Sequence, residues 1–290
     1  MSDPAPGEAL LLSLSAAIET RLVKGNPRGM QTLRRALEPG YCLRAARTLA
    51  DAQRVIIGTG FPVEETFETD GPPGAMALAR ALAARGTEVH LACAPPIARV
   101  LAEHFAVLEL SAFDHASARR EADERLAAIR PDTVVSIERP GLAADGRYYN
   151  MRGEDISERC AIFDDYLRLA DCPTIAIGDG GNEIGMGRLA TEVAALAISP
   201  AATSCDELIV ADVSNWGAYA LVALLDPGRG AAALDAIAHR EMLEELAAAG
   251  GVDGVTRAAT ATEDGLHASV GELLIADLRH LVEHAMTGAR

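Results

Sequence analysis

The chain has 290 residues, which suits one large α/β domain or two small ones with a sizeable buried core. Apolar residues make up 49% of it, so a disordered tail is excluded. Lys plus Arg number 26 against 42 Asp plus Glu, a net charge of −16; a surface so acidic repels phosphate backbones and anionic lipid, so neither nucleic acid nor a membrane is an expected partner.

The elements are taken in chain order. Leu11, Leu14, Ile18 and Leu22 share one helical face, and Gly25-Asn26-Pro27 ends that helix. Residues 30–50 read as helical again, broken at Glu38-Pro39-Gly40, so 1–50 is an N-terminal helical segment packed on the rest of the domain. Val55-Ile56-Ile57, stopped by Gly58, reads as a buried strand. Helix 75–85, strand 88–92, helix 96–104, a weaker strand at 107–110 and a charged helix over 114–129 come next. Strand 133–137, a helix near 157–170, strands 174–177 and 208–211, and helices 216–225, 231–249 and 269–285 complete the chain. This alternation predicts a doubly wound, mostly parallel sheet with helices on both faces, in one α/β domain spanning 1–290.

No stretch of ~18 apolar residues lacks charge. The opening MSDPAPGEALLL has no basic region, so neither a signal nor a transit peptide is expected. Five cysteines without a CxxC fit reduced thiols in a cytoplasmic location. The histidines form no HExxH, and His104, His239 and His280 are expected at the surface or in helix packing. No G-x-S-x-G marks a serine nucleophile.

Open parallel sheets bind ligands at the carboxyl ends of their strands, so the segments after the strands carry the functional reading. GTGFPVEETFETDGPP comes after the first strand, and ERPGLAADGRYYNMRGEDIS, 178–187 and Asp212-Val213-Ser214-Asn215 come after later ones. The run Gly178-Asp179-Gly180-Gly181-Asn182-Glu183-Ile184-Gly185-Met186-Gly187 is neither a Walker loop nor a G-x-G-x-x-G. Its glycines would let backbone N–H groups converge, and Asp179, Asn182 and Glu183 add hard oxygen donors. A tight turn capped by Asp and Asn is the bland alternative. Glu68 and Asp70, stiffened by Pro72-Pro73, suit Mg²⁺ or Mn²⁺, or else acidify a helix start. Asn150, Arg152 and Asp155 form a third group; Arg152 could hold a carboxylate bidentately or make a surface ion pair. Gly251–Thr256 and Asp264-Gly265 could close over the site.

ETDGPPGA at 68–75, ERPG…DGRYYNMRGEDIS at 138–157, IGDGGNEIGMG at 177–187 and VDGVT at 252–256 together resemble the D-glutamate cyclase family, as does NPRG at 26–29. The resemblance runs to near residue 265. It implies conversion of D-glutamate to 5-oxo-D-proline with loss of water, by a hydro-lyase dependent on Mn²⁺ or Mg²⁺. Animal relatives carry this domain behind an N-terminal hydro-lyase-like domain and are mitochondrial. Against them this chain reads as a stand-alone, Ala-rich bacterial member, for which the resemblance leaves a related substrate open.

The chemistry asks for a cation to polarise a poor electrophile, a carboxylate to take the ammonium proton, and a positive clamp for a dianion. The expected set is Asp179 and Glu183 for catalysis, and Glu68, Asp70 and Asp179 for the metal. Gly60, Asn150, Arg152, Gly180, Gly181 and Asn182 are expected to contact substrate. Arg152, Arg139 and the N–H groups of 178–187 are the clamp candidates. A small amino acid is the expected partner, and a homo-oligomer stays open. The alternatives are a non-catalytic carboxylate or nucleotide sensor, or a metal-dependent lactam hydrolase.

Overall fold

The computed structural model describes residues 6–288. Residues 1–5, which carry part of the leader reading, lie outside them. The N-terminal segment forms α1 (Pro6–Leu22), α2 (Met30–Ala36) and α3 (Tyr41–Asp51). Next come β1 (Arg54–Thr59), a hairpin of β2 (Pro62–Val63) and β3 (Thr66–Phe67), α4 (Pro72–Ala83), β4 (Glu88–Cys93), α5 (Ile97–Leu101), β5 (Val107–Glu109) and α6 (His115–Ile129). The second half holds β6 (Thr133–Ile137), α7 (Asp164–Arg168), β7 (Thr174–Gly178), α8 (Ala190–Val193), β8 (Glu207–Val210), α9 (Ser214–Leu225), α10 (Gly230–Asp235) and α11 (His239–Ala248). A hairpin of β9 (Thr262–Glu263) and β10 (Leu266–His267) leads into α12 (Ala268–Gly288).

Six strands form one sheet in the order β5-β4-β1-β6-β7-β8, every pairing parallel. Parallel strands covered on both faces read as unbroken apolar runs. Accordingly β6 and β7 are buried along their whole length, as is β1 from Val55 onward. From β1 the chain winds outward through β4 to β5, then returns to β6 on the opposite side of β1 and winds the other way. The carboxyl ends of β1 and β6 therefore flank the topological switch point, where such sheets open a crevice. Helices cover both faces: α4 packs on α9, with α3 and α12 beside α9, while α6 and α7 pack together on the other side. Leu14, Ile18 and Leu22 of α1 are buried, the face their spacing predicted. No described helix is long and apolar enough to cross a membrane.

Three expectations are corrected. The helix expected near 157–170 is a 3-10 turn at Ser157–Arg159, an extended stretch, and the short α7. Between them Cys160 and Ile162 enter a small apolar cluster with Phe61 and Tyr148, while Ala161 and Phe163 enter the main core. Burying alternate residues on opposite sides requires an extended chain, whereas a helix would spread four successive residues right round its axis. The helix expected over 231–249 is two, α10 and α11, and the break lets His239 begin α11 inside the core, where its Nδ1 meets the Tyr219 hydroxyl at 2.9 Å. The helix expected over 96–104 is shorter, ending at Leu101.

Candidate active site

The loops at the carboxyl ends of the strands enclose a cavity of about 510 Å³. Glu138 and Asp179 line it, and Asp70 lies against them just outside the lining. Asp70, Glu138 and Asp179 each offer one oxygen within 4.8 Å of the others, and all three are buried. They come from three different strand ends, after β1, β6 and β7, so only the sheet order brings them together.

Asp70 is held by the start of α9. Its Oδ2 accepts from the Ser214 N–H at 2.8 Å, and its Oδ1 accepts from the Asn215 and Gly71 N–H groups at 2.8 Å each. A helix N-terminus favours a negative group there. Burial works the other way and lifts this carboxyl to about 7. Gly71 lies at φ +94°, and a methyl on it would come within 2.7 Å of Glu138 Cβ, so no larger residue fits the turn. Glu138 itself has φ +47°, a left-handed backbone costly for a side-chain-bearing residue. That conformation turns its carboxylate to the switch point, where Ser214 Oγ donates to Oε2 at 2.5 Å. Burial pushes Glu138 and Asp179 well above the usual carboxylate range, Glu183 adding to it for Glu138.

Arg28 answers part of this charge. Asp212 accepts from the N–H groups of Gly25 and Asn26, at 2.6 and 2.9 Å, and so fixes the loop that delivers Arg28. The Arg28 guanidinium donates to Asp179 Oδ2 at 2.6 Å, to the carbonyls of Asp179 and Asp212 at 3.1 Å each, and to Asp264. Desolvation opposes its charge, but these carboxylates keep it protonated well above the ordinary arginine range.

The 252–265 segment closes the cavity. The Asp253 carboxylate accepts from the N–H groups of Val255, Thr256 and Gly265, and so shapes this loop. Val252 carbonyl accepts from Thr69 N–H at 2.9 Å, tying it to the β1 loop. A methyl on Gly254 would meet the Glu68 carboxylate, so glycine lets the chain pass there without moving that side chain.

The expected residues divide. Asp70 and Asp179 lie in the three-carboxylate cluster, but Glu68 does not; it is buried in the cavity wall, and Glu138 stands in the third place. Asn150, Arg152 and Asn182 line the cavity with Asp179. Asn150 Oδ1 accepts from the N–H groups of Arg152 and Glu154, shaping the turn, and Asn182 keeps a buried Oδ1 without a partner among the described residues. Glu183 does not line the cavity. Its two carboxylate oxygens accept from the Gly180 and Gly181 N–H groups at 2.8 and 2.7 Å, closing its own loop.

Those two N–H groups are therefore spent. So are those of Ile184, Gly185 and Gly187, which bond to Arg139 and Thr203 carbonyls; most of the expected backbone clamp is not free to hold an anion. Arg139 is not free either. Buried, it donates to the carbonyls of Gly60 and Ala161, and bolts the β1 loop to the extended 160–163 stretch. Gly60 supplies a carbonyl to that bolt and lies outside the main cavity.

Sequence reasoning left out Arg28, Glu138, Arg159 and Arg257, all of which line the cavity, as does Asp264 from the segment expected to close over the site. Glu138 was within reach, as the first residue after the strand that borders the switch point. Arg28 stood inside the NPRG motif, but only the folded chain brings it to Asp179.

The donor set can be tested against a divalent cation. Three anionic oxygens in a buried space are the hard ligands Mg²⁺ and Mn²⁺ take, with no Cys or His among them. Crowded carboxylates also call for positive charge that Arg28 alone does not supply, so the residues fit such an ion.

A buried, cation-compatible carboxylate cluster at the switch point, roofed by arginines, defines an α/β protein with a built site for a small polar ligand. The chain belongs to the D-glutamate cyclase-like C-terminal family, whose model matches residues 18–279. It is 35% identical over 212 residues to a protein of Homo sapiens named "D-glutamate cyclase, mitochondrial", a match covering 63% of this chain and 34% of that protein. The match thus spans about a third of that relative's length. Among solved structures, an exopolyphosphatase-related protein from Bacteroides fragilis aligns over 83% of this chain and 56% of its own, with a TM-score of 0.43 and 11% identity. A 3-oxoacyl (acyl-carrier-protein) reductase from Agrobacterium tumefaciens aligns over 69% of this chain and 67% of its own, with a TM-score of 0.28 and 13% identity. Both likenesses are too low to carry an argument.

Proposed function

We propose that this chain is a D-glutamate cyclase-like lyase that closes D-glutamate to 5-oxo-D-proline with loss of water. One observation carries the reading beyond family membership: the Asp70, Glu138 and Asp179 cluster opens through Glu138 and Asp179 onto a cavity that is also lined by a set of arginines. An amino-dicarboxylate needs both, acid groups for its ammonium end and guanidinium for a carboxylate.

In the reaction the substrate nitrogen forms a bond to the δ-carbon, a C–O bond breaks, and one carboxylate oxygen leaves as water, carrying the two protons that the ammonium nitrogen gives up. The ammonium must first lose a proton. Asp179, on the cavity wall and buried, is the group placed to accept it, a role usually worth ~10²–10⁴-fold. Arg28 holds that carboxylate in one orientation. Asn182 offers its free Oδ1 to a substrate N–H. A divalent cation held by Asp70, Glu138 and Asp179, Mn²⁺ or Mg²⁺, would neutralise and polarise the carboxylate under attack, a contribution of several kcal/mol. The 252–265 segment limits entry of bulk water. Ring closure is intramolecular, so folding the substrate into its cyclic conformer supplies much of the proximity.

The test is purified protein with D- and L-glutamate, with Mn²⁺ or with EDTA, followed by NMR for the ring product. Turnover of D-glutamate that EDTA abolishes is expected. Asp179→Asn should lower kcat by at least ~10²-fold at a temperature where the variant is fully folded, because Asn keeps the size and loses the basicity. Binding without turnover would favour a carboxylate sensor, and reaction only from 5-oxoproline would favour a lactam hydrolase.

A further inference from the structure

Four arginines line the cavity: Arg28, Arg152, Arg159 and Arg257. Two are already neutralised. Arg28 is buried between Asp179 and Asp264. Arg257 reaches Glu64 at 2.7 Å and Glu154 at 3.5 Å, and its charge goes into strapping three loops together. The Arg152 side chain makes one hydrogen bond among the described residues, to the Val255 carbonyl at 3.0 Å, and closes no ion pair. The Arg159 side chain has neither a hydrogen bond nor an ion pair among the described residues. Arg152 and Arg159 lie near enough to Glu154 to favour its charged form, yet neither closes an ion pair with any of the six carboxylates lining the cavity.

The backbone beneath Arg159 is firmly seated. Its N–H donates to the Ile156 carbonyl at 2.9 Å, and Ser157 Oγ accepts from Tyr148 N–H at 2.9 Å. Ile156 and Cys160, on either side, are buried in the cluster with Phe61 and Tyr148. The turn is thus anchored from below, and only the guanidinium is uncommitted. An arginine whose backbone is already ordered loses less entropy on binding, and its planar fork matches a carboxylate.

We infer that Arg159, with Arg152 beside it, is the carboxylate anchor of this site: it takes the substrate carboxylate that is not attacked, while the amine and the reacting carboxylate lie at the Asp70, Glu138 and Asp179 floor. The inference rests on the amino-dicarboxylate reading above and adds to it the residue that selects for the second carboxylate. A ligand without that carboxylate forfeits the anchor, so Arg159 sets the preference for diacids over monoacids.

The test uses two unreactive probes, glutarate with two carboxylates and butyrate with one. Their binding to the full chain is followed by ligand NMR titration with Mg²⁺ present, so that the single carboxylate of butyrate has the cation-loaded acidic cluster to bind, in wild type and in Arg159→Gln. Wild type should prefer glutarate by about tenfold or more, the worth of a charge-assisted pair. Arg159→Gln should weaken glutarate by about tenfold, leave butyrate within about twofold, and so erase the preference. Arg159→Lys should fall between the two. The side chain is exposed, so melting temperatures should not move. Equal glutarate binding by wild type and Arg159→Gln, equal loss of both acids, or no preference in wild type would each overturn the anchor. A failure of wild type to convert D-glutamate while the glutarate preference depends on Arg159 would overturn the reaction and leave the anchor standing.

Discussion

The Arg28 guanidinium donates to Asp179 Oδ2 at 2.6 Å across 151 residues of sequence, and the same nitrogen reaches Asp264. This pair joins the N-terminal helical segment to the cavity floor. Removing the cation would leave two carboxylates with little solvent and no counter-charge. Arg28→Gln should cost about 3–5 kcal/mol, typical of breaking a buried pair from one side. The melting temperature should fall by on the order of 5–10 °C. Adding Asp264→Asn should restore part of the loss, because the uncompensated charge goes with it. A single variant that melts with wild type would show that the cluster is balanced without Arg28.

Glu183 was expected to act in catalysis, yet its carboxylate is occupied by the N–H groups of Gly180 and Gly181. Gln offers one oxygen where two are used, and turns an N–H donor toward another donor. Glu183→Gln should therefore destabilise the fold by about 1–3 kcal/mol, the cost of an unmet buried group. Any loss of activity should track the loss of stability, measured as kcat against melting temperature over a range of temperatures. Abolished kcat with an unchanged melting temperature would return the proton-transfer role to this residue.

Arg152 is exposed and hydrogen-bonds across the cavity only to the Val255 carbonyl. Lys keeps the charge but loses the planar fork. Arg152→Lys should raise KM for D-glutamate about tenfold, with kcat within about twofold and an unchanged melting temperature. An unchanged KM with a lowered melting temperature would make Arg152 a strap on the 252–258 loop rather than a substrate contact.

Glu263 and His239 supply a pH test away from the floor. Glu263 accepts from Asn215 Nδ2 at 2.7 Å and Trp216 Nε1 at 2.8 Å, and faces His239 Nε2 at 3.4 Å. Burial raises Glu263 from its ordinary 4.5 to about 8 and lowers His239 from 6.5 to about 4. Between about 4.5 and 6.5 the folded pair holds one proton more on Glu263 and one fewer on His239 than the unfolded chain, so the pair adds no slope to stability. From 6.5 toward 8 only Glu263 differs; the folded state keeps a proton the unfolded chain has released, so stability falls as pH rises. The slope is at most about 1.4 kcal/mol per pH unit. Glu263→Gln should remove that decline and expose the His239 contribution, which is lost as pH falls below 6.5. Denaturant melts across pH 5 to about 8.5 would read both slopes. Parallel profiles for wild type and variant would show that the pair does not titrate in this way.

The apolar runs at 55–57, 133–137 and 174–177 mark central strands in the sequence, because a parallel strand covered on both faces cannot alternate. Their neighbouring polar, glycine-bearing loops mark the functional end, because ligands collect at strand carboxyl ends. Asp70 and Asp179 were legible for that reason, each lying a short way past a strand. Local sequence carries no record of which strands become neighbours. The order β5-β4-β1-β6-β7-β8 places β6 beside β1, and only that adjacency sets Glu138 against Asp70. The pairing of Arg28 with Asp179 and Asp264 was hidden for the same reason, since ion pairs across 151 and 236 residues are made by packing alone. Glu183 shows the converse: its residue type suited catalysis, and the backbone of its own loop, once folded, took both of its oxygens. The sequence by itself determined which segments become strands and which loops carry charge, because those depend on neighbours in the chain. The tertiary structure decided which charges meet and which are spent, because a hydrogen bond or an ion pair depends on distance in space.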